Sequence, residues 1–146
     1  MDGRYGGMRC NMEKTWDVGF EGENKIRSIF EKNHIHYLQA DMLAEINGKW
    51  HIIEVKHQDK FTPPPFYGHG LPRWQVDARL DLENKTGIIA LLFIVDKETN
   101  IIYWQYMNKL MKGKFYQTNG TKPRIIFPIE SYNILDSEAF PKFGGR

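Results

Sequence analysis

The fold turns on the stretch Asp41-Met42-Leu43-Ala44-Glu45-Ile46-Asn47-Gly48-Lys49-Trp50-His51-Ile52-Ile53-Glu54-Val55-Lys56. Asn47-Gly48 is a strong hairpin signal, because a type I′ turn needs positive φ at both central positions and these two residues tolerate it best. The flanking runs, Ile35 to Ile46 and Lys49 to Lys56, are rich in apolar and β-branched residues and are each expected to form a strand. The turn pairs Ile46 with Lys49. Counting back residue for residue sets Asp41 opposite Glu54 and Gln39 opposite Lys56. Side chains alternate along a strand, so Gln39, Asp41, Glu54 and Lys56 are expected on one face. The other face carries Ala40, Met42, Ala44, Ile46, Ile53 and Val55, a core face interrupted by His51 and Lys49.

Two carboxylates facing each other across an antiparallel pair repel. A chain that keeps them holds a cation between them or keeps one protonated. Asp41, Glu54 and a backbone carbonyl form an all-oxygen set that suits Mg²⁺ or Mn²⁺ rather than zinc. Such an ion activates water for phosphodiester hydrolysis, and Lys56 beside it can hold that water. The alternative is a surface hairpin whose lysine screens two acids. Glu54-Val55-Lys56 is a short motif; its specificity comes from an apolar strand with an acid registered across from it.

Working outward, Glu21 to Asn33 places Ile26, Ile29 and Phe30 at helical spacing. Gln58 to Leu71 contains Pro63-Pro64-Pro65 and two glycines and reads as a loop with a stiff segment. Pro72 suits the first turn of a helix and Gly87 its exit. Ile88 to Val95 is apolar throughout, as a strand buried on both faces would be. Ile101 to Tyr106 reads as a strand, Met107, Leu110, Met111 and Phe115 as an amphipathic helix, and Arg124 to Pro128 as a last strand. The fold class is α/β, a central mixed sheet flanked by helices. Residues 1–16 read as a mobile arm and 17–146 as one domain.

The chain has 146 residues, 41% of them hydrophobic, with a net charge of +2. Its longest apolar run is too short for a membrane span, residues 1–11 lack the apolar core of a secretory signal, and the single cysteine, Cys10, excludes an internal disulfide. A cytoplasmic protein is expected. From Thr99 to Ile129 there are five basic residues and no acid, with Tyr103, Trp104, Tyr106, Phe115 and Tyr116 interleaved. That mixture suits phosphate neutralisation and base stacking, and equally a solvated basic face over core aromatics. The five histidines include no His-Glu-x-x-His pattern, so zinc is not expected.

The chain resembles the PD-(D/E)xK nuclease superfamily, whose core runs helix, strand, acid-bearing hairpin, helix, strand. Ala40-Asp41 stands where that family has Pro-Asp, and Glu54-Val55-Lys56 where it has (D/E)-x-K; the missing proline is a departure. The resemblance implies a restriction-endonuclease-like core. It also implies a metal site of Asp41, Glu54, the Val55 carbonyl and the helical Glu23 (Glu21 as its alternative), with Lys56 and Gln75 as further catalytic residues. Within the superfamily the compact size resembles small Holliday-junction resolvases of the archaeal or RecU type, and hence functions in DNA recombination and repair. The expected activity is a Mg²⁺-dependent DNA endonuclease (Mn²⁺ substituting) acting on DNA, branched forms included. An exonuclease or nickase with the same site, or an inactive DNA-binding module, are the alternatives. Lys60, His69, Arg73, Arg79, Lys109, Lys112 and Lys114 are the candidate DNA contacts. Trp74 is expected to pack its helix onto the sheet, and a homodimer stays open.

Overall fold

Asn47 and Gly48 adopt φ of 52° and 81°, both left-handed, so the turn is of the primed kind that the Asn-Gly pair favours. It joins β2 (Leu43–Ile46) to β3 (Lys49–Gln58) in the expected register: Ile46 faces Lys49, Glu45 faces Trp50, Ala44 faces His51 and Leu43 faces Ile52. The structure is a computed structural model that describes residues 14–38 and 42–136. Gln39, Ala40 and Asp41 lie outside the described residues.

The run Ile35–Ile46 is not one strand. β1 (His36–Leu38) folds back on β2, with His36 facing Glu45 and Leu38 facing Leu43. Met42, at a positive φ of 39°, stands at the entry to β2, where the ladder to β3 has its last described bond: Ile53 N–H donates to the Met42 carbonyl at 2.9 Å. Alternation of side chains carries no information about such a reversal, because both strands obey the same period.

Helix α1 (Lys14–Lys32) precedes β1. It begins before Glu21, so residues 14–16, read as part of the arm, are helical. After β3 the segment read as one loop contains a strand, β4 (Gly68–Pro72). Helix α2 (Arg73–Thr86) follows directly and ends on Gly87 at a φ of 79°, a left-handed cap that a glycine adopts without a Cβ penalty. Strands β5 (Ile89–Asp96) and β6 (Ile102–Tyr106), helix α3 (Met107–Lys112), β7 (Tyr116–Gln117), β8 (Arg124–Pro128) and β9 (Asn133–Ile134) complete the chain. The helix expected to reach Phe115 stops at Lys112, before Gly113.

The main sheet runs β1-β2-β3-β5-β6-β9, antiparallel except for the parallel pair β3/β5; β4, β8 and β7 form a second, antiparallel sheet. Every residue of β5 is buried because both faces are covered. On one side Ile26 and Phe30 of α1 pack with Ile53, Leu91 and Phe93, the Phe30 and Phe93 rings meeting edge-on. On the other, Val76 of α2 and Met107 and Leu110 of α3 pack with Ile52, Leu92, Ile94 and the inner residues of the second sheet, Leu71, Ile125 and Phe127. β4 is a strand because Gly70 lets it lie against β8: a Cβ there would stand 1.9 Å from the Ile125 carbonyl oxygen. No helix among the described residues is long and apolar enough to cross a membrane.

Candidate active site

The two-residue period of β3 puts Ile52, Glu54, Lys56 and Gln58 on the face covered by α2 and the second sheet. Ile53, Val55 and His57 point to the α1 side. Glu54 is where α2 and β3 meet in charge. Arg79 Nε donates to Glu54 Oε1 at 3.2 Å, and Lys56 Nζ lies 3.6 Å from Oε2. The Glu54 side chain is 15% exposed, that of Arg79 28%. Among the described residues one carboxylate therefore faces two cations.

The backbone adds a further donor. Ile53 directs its N–H toward β2, so Val55, two residues on, directs its N–H and C=O to the same edge. There β2 has ended, and no strand among the described residues pairs with β3 beyond Ile52 on that side. The Val55 carbonyl thus faces an edge of β3 that no strand among the described residues covers, just past Met42, the residue that follows Asp41. Carboxylate and carbonyl oxygens are the ligand types that Mg²⁺ takes; of the set expected from the sequence, Glu54 and the Val55 carbonyl are the two that β3 supplies. No three His, Cys, Asp or Glu side chains gather as a metal-holding group among the described residues.

Other assigned residues fall in different places. Glu23 stands half-buried on α1, the helix over the Val55 face, so the ligand set drawn from the sequence is split between the two faces of β3. Glu21, its alternative, reaches that same side, with Oε1 3.6 Å from His57 Nδ1. Gln75 lies one turn before Arg79 on α2, and its Oε1 is buried without a hydrogen bond, so it does not bond Lys56. Arg73 is engaged by Asp77 Oδ1 at 2.9 Å and Gln117 Oε1 at 2.8 Å. Trp74 is not packed against the sheet: it is 68% exposed on the outer side of α2.

His69 is not available to DNA. It is fully buried on β4, with Nε2 2.9 Å from Asp96 Oδ2 and Nδ1 3.0 Å from Gln58 Oε1, the oxygen that also accepts from Gly70 N–H. Tyr132 OH donates to the His69 carbonyl at 2.8 Å. The two acceptors around the ring favour the imidazolium. Burial disfavours it and prevails over the Asp96 bond and charge, holding His69 below its ordinary value. For Asp96 burial pushes upward, but the Thr99 backbone N–H on Oδ1 and the His69 contact outweigh it, and the carboxyl sits below its usual range. Lys60 Nζ is 4.0 Å from the same carboxylate. Sequence reasoning missed this network. The available signals were an acid directly after an apolar strand and a histidine between two glycines.

The basic stretch divides. Lys109 and Lys112, both exposed on α3, line a cleft of about 240 Å³ with Trp104, Gln105, Tyr106, Asn108 and Asn133. Lys114 lies over the Phe66 ring, 5.2 Å from its centroid. Glu83 of α2 accepts from Asn108 Nδ2 at 3.0 Å, so α3 sits on the same face of the sheet as Arg79, Glu54 and Lys56. No protein-family model matches the sequence, and neither a curated protein nor a solved structure matches it.

Proposed function

We propose that this chain is a metal-dependent DNA endonuclease of the PD-(D/E)xK type. The observation that carries the reading is the pairing of Glu54 and Lys56 on one face of β3, with the Val55 carbonyl turned to the edge that no described strand covers past Met42. The order of elements, α1, β1, the β2/β3 hairpin, α2 and β5, agrees with the core of that superfamily. Asp41, Glu54 and the Val55 carbonyl would hold Mg²⁺, which when bound lowers the pKa of water and offsets charge on a phosphate oxygen. Lys56 orients the attacking water by hydrogen bonding and stabilises the charge that develops on the phosphate. The water oxygen attacks phosphorus and the bond to the leaving sugar oxygen breaks. That oxygen ends protonated, so a phosphodiester and water give a phosphomonoester and a hydroxyl.

The test is cleavage of labelled four-way junction, flap, duplex and single-stranded DNA in Mg²⁺ and in EDTA, with Glu54→Ala alongside. Cleavage of at least one substrate in Mg²⁺, abolished by EDTA and by the substitution, is expected. Activity that survives either one overturns the assignment. A second reading, a DNA-binding module without catalysis, is favoured by the hold of Arg79 on Glu54. It predicts binding in every buffer and cleavage in none.

A further inference from the structure

We infer that Arg79 is an exchangeable counter-ion: it neutralises Glu54 in the metal-free protein and transfers to the DNA phosphate when Glu54 takes a metal. This rests on the nuclease reading and assigns within it a residue that changes partners. Arg79 meets Glu54 through Nε alone, at 3.2 Å on Oε1. A guanidinium carries five N–H donors in a planar fork, so the contact leaves donors for a second oxygen ligand. The pair is neither sealed nor fully solvated: 28% of the Arg79 side chain and 15% of that of Glu54 are exposed, so substrate and ion have access. Arg73, on the same helix, is committed to Asp77 and Gln117, whereas the carboxylate that holds Arg79 is the one that a cation would claim.

Charge decides the direction of the exchange. Glu54 already has Lys56 at 3.6 Å. Adding a divalent ion to this carboxylate sets three positive groups around it, and of the two side-chain cations only the guanidinium carries a planar fork matched to a phosphate. Arg79 is then repelled by the ion on Glu54 while an anionic phosphate, the best bidentate partner for its fork, arrives at the same place. A purely structural Arg79, tying α2 to β3, would gain nothing from metal and would keep its partner.

The two roles give effects of opposite sign. Removing Arg79 removes a competitor of the metal, so Arg79→Gln should bind Mn²⁺ about fivefold more tightly by calorimetry, the size of one partly exposed ion pair forgone. The same variant should match wild type in DNA affinity in EDTA, where Arg79 is held by Glu54, and fall several-fold below it in Ca²⁺. Arg79→Lys keeps the charge without the fork. It should bind Mn²⁺ like wild type yet lose most of the Ca²⁺-dependent gain in DNA affinity, which keeps the inference testable if the glutamine variant folds poorly. Glu54→Gln serves as the control on the reading beneath. If Glu54→Gln binds Mn²⁺ as wild type does, or wild type binds none, the nuclease reading fails and the inference with it. If wild type binds through Glu54 but Arg79→Gln binds no tighter, only the inference is overturned. A drop in DNA affinity of equal size in EDTA and Ca²⁺ also overturns it, because Arg79 would then hold DNA whether or not metal is bound.

Discussion

Lys56 and Glu54 are two residues apart on a strand, and at that spacing the ammonium comes within 3.6 Å of the carboxylate without competing for a ligand position. A charged lysine has no lone pair to give a metal. Its effect should therefore appear in the rate rather than in assembly of the site. Lys56→Ala is expected to keep Mn²⁺ and DNA affinity within a few-fold of wild type while single-turnover cleavage falls by about 10² or more, the loss of one electrostatic stabiliser. Because Arg79 still covers Glu54, the melting temperature should barely move, in keeping with the small worth of partly exposed pairs, about 1 kcal/mol or less. A lysine that only screens acids predicts the reverse, a lower melting temperature with normal turnover. Glu54→Ala should lose metal binding and cleavage together, so the two variants separate chemistry from metal assembly.

Strand β4 is held by what its neighbours will accept. Gly70 has room for no Cβ against β8, and His69 between the glycines turns inward to Asp96 at the end of β5. This bond joins the second sheet, and through it the start of α2, to β5, the neighbour of the strand that carries Glu54 and Lys56. Its pH response follows from the two shifts. Asp96 has a lowered pKa, so its contribution is present above the unfolded value, about 3.9, and is lost as pH falls through the folded one. His69 is also lowered, so the unfolded chain takes up a proton near 6.5 before the native chain does, and stability declines as pH drops below that value. Urea melts between pH 7.5 and 3 should show a fall that begins near 6.5 and continues past 4. In His69→Gln the upper part of the fall should vanish, and a slope unchanged there would assign it to another group.

Across the molecule the positive excess lies in the last third of the chain, and folding gathers part of it on α3. Helix α3 packs on the face of the sheet that carries Glu54 and Lys56, joined to α2 through Asn108 and Glu83. Its Lys109 and Lys112 flank a cleft walled by Trp104 and Tyr106, a surface on which a phosphate backbone and a base could both rest. Changing Lys109, Lys112 and Lys114 together to Ala should weaken binding to every DNA sequence and flatten the dependence of log K on log salt by up to about 3 units, about 0.9 for each phosphate no longer neutralised. An unchanged slope would make this a solvated face.

The parts of the fold legible in the sequence are those whose cause is local. The Asn47-Gly48 turn, the register of β2 on β3, the buried β5 and the ends of α2 each follow from residues a few positions apart, through turn chemistry, alternation and capping. The same alternation put Glu54 and Lys56 on one face. What the sequence withheld depends on partners far along the chain. Gly68-His69-Gly70-Leu71-Pro72 has little strand propensity and becomes a strand only because β8, more than fifty residues later, offers a backbone that glycines can approach. His69 is buried because Asp96 waits at the end of another strand, and Trp74 is exposed because Val76, not the indole, faces the sheet. Arg79 shows nothing at the level of sequence to tie it to Glu54. Propensity and period act over one or two turns of chain, whereas the pairing of a particular charge or the burial of a particular ring is decided by which elements the packed core brings together.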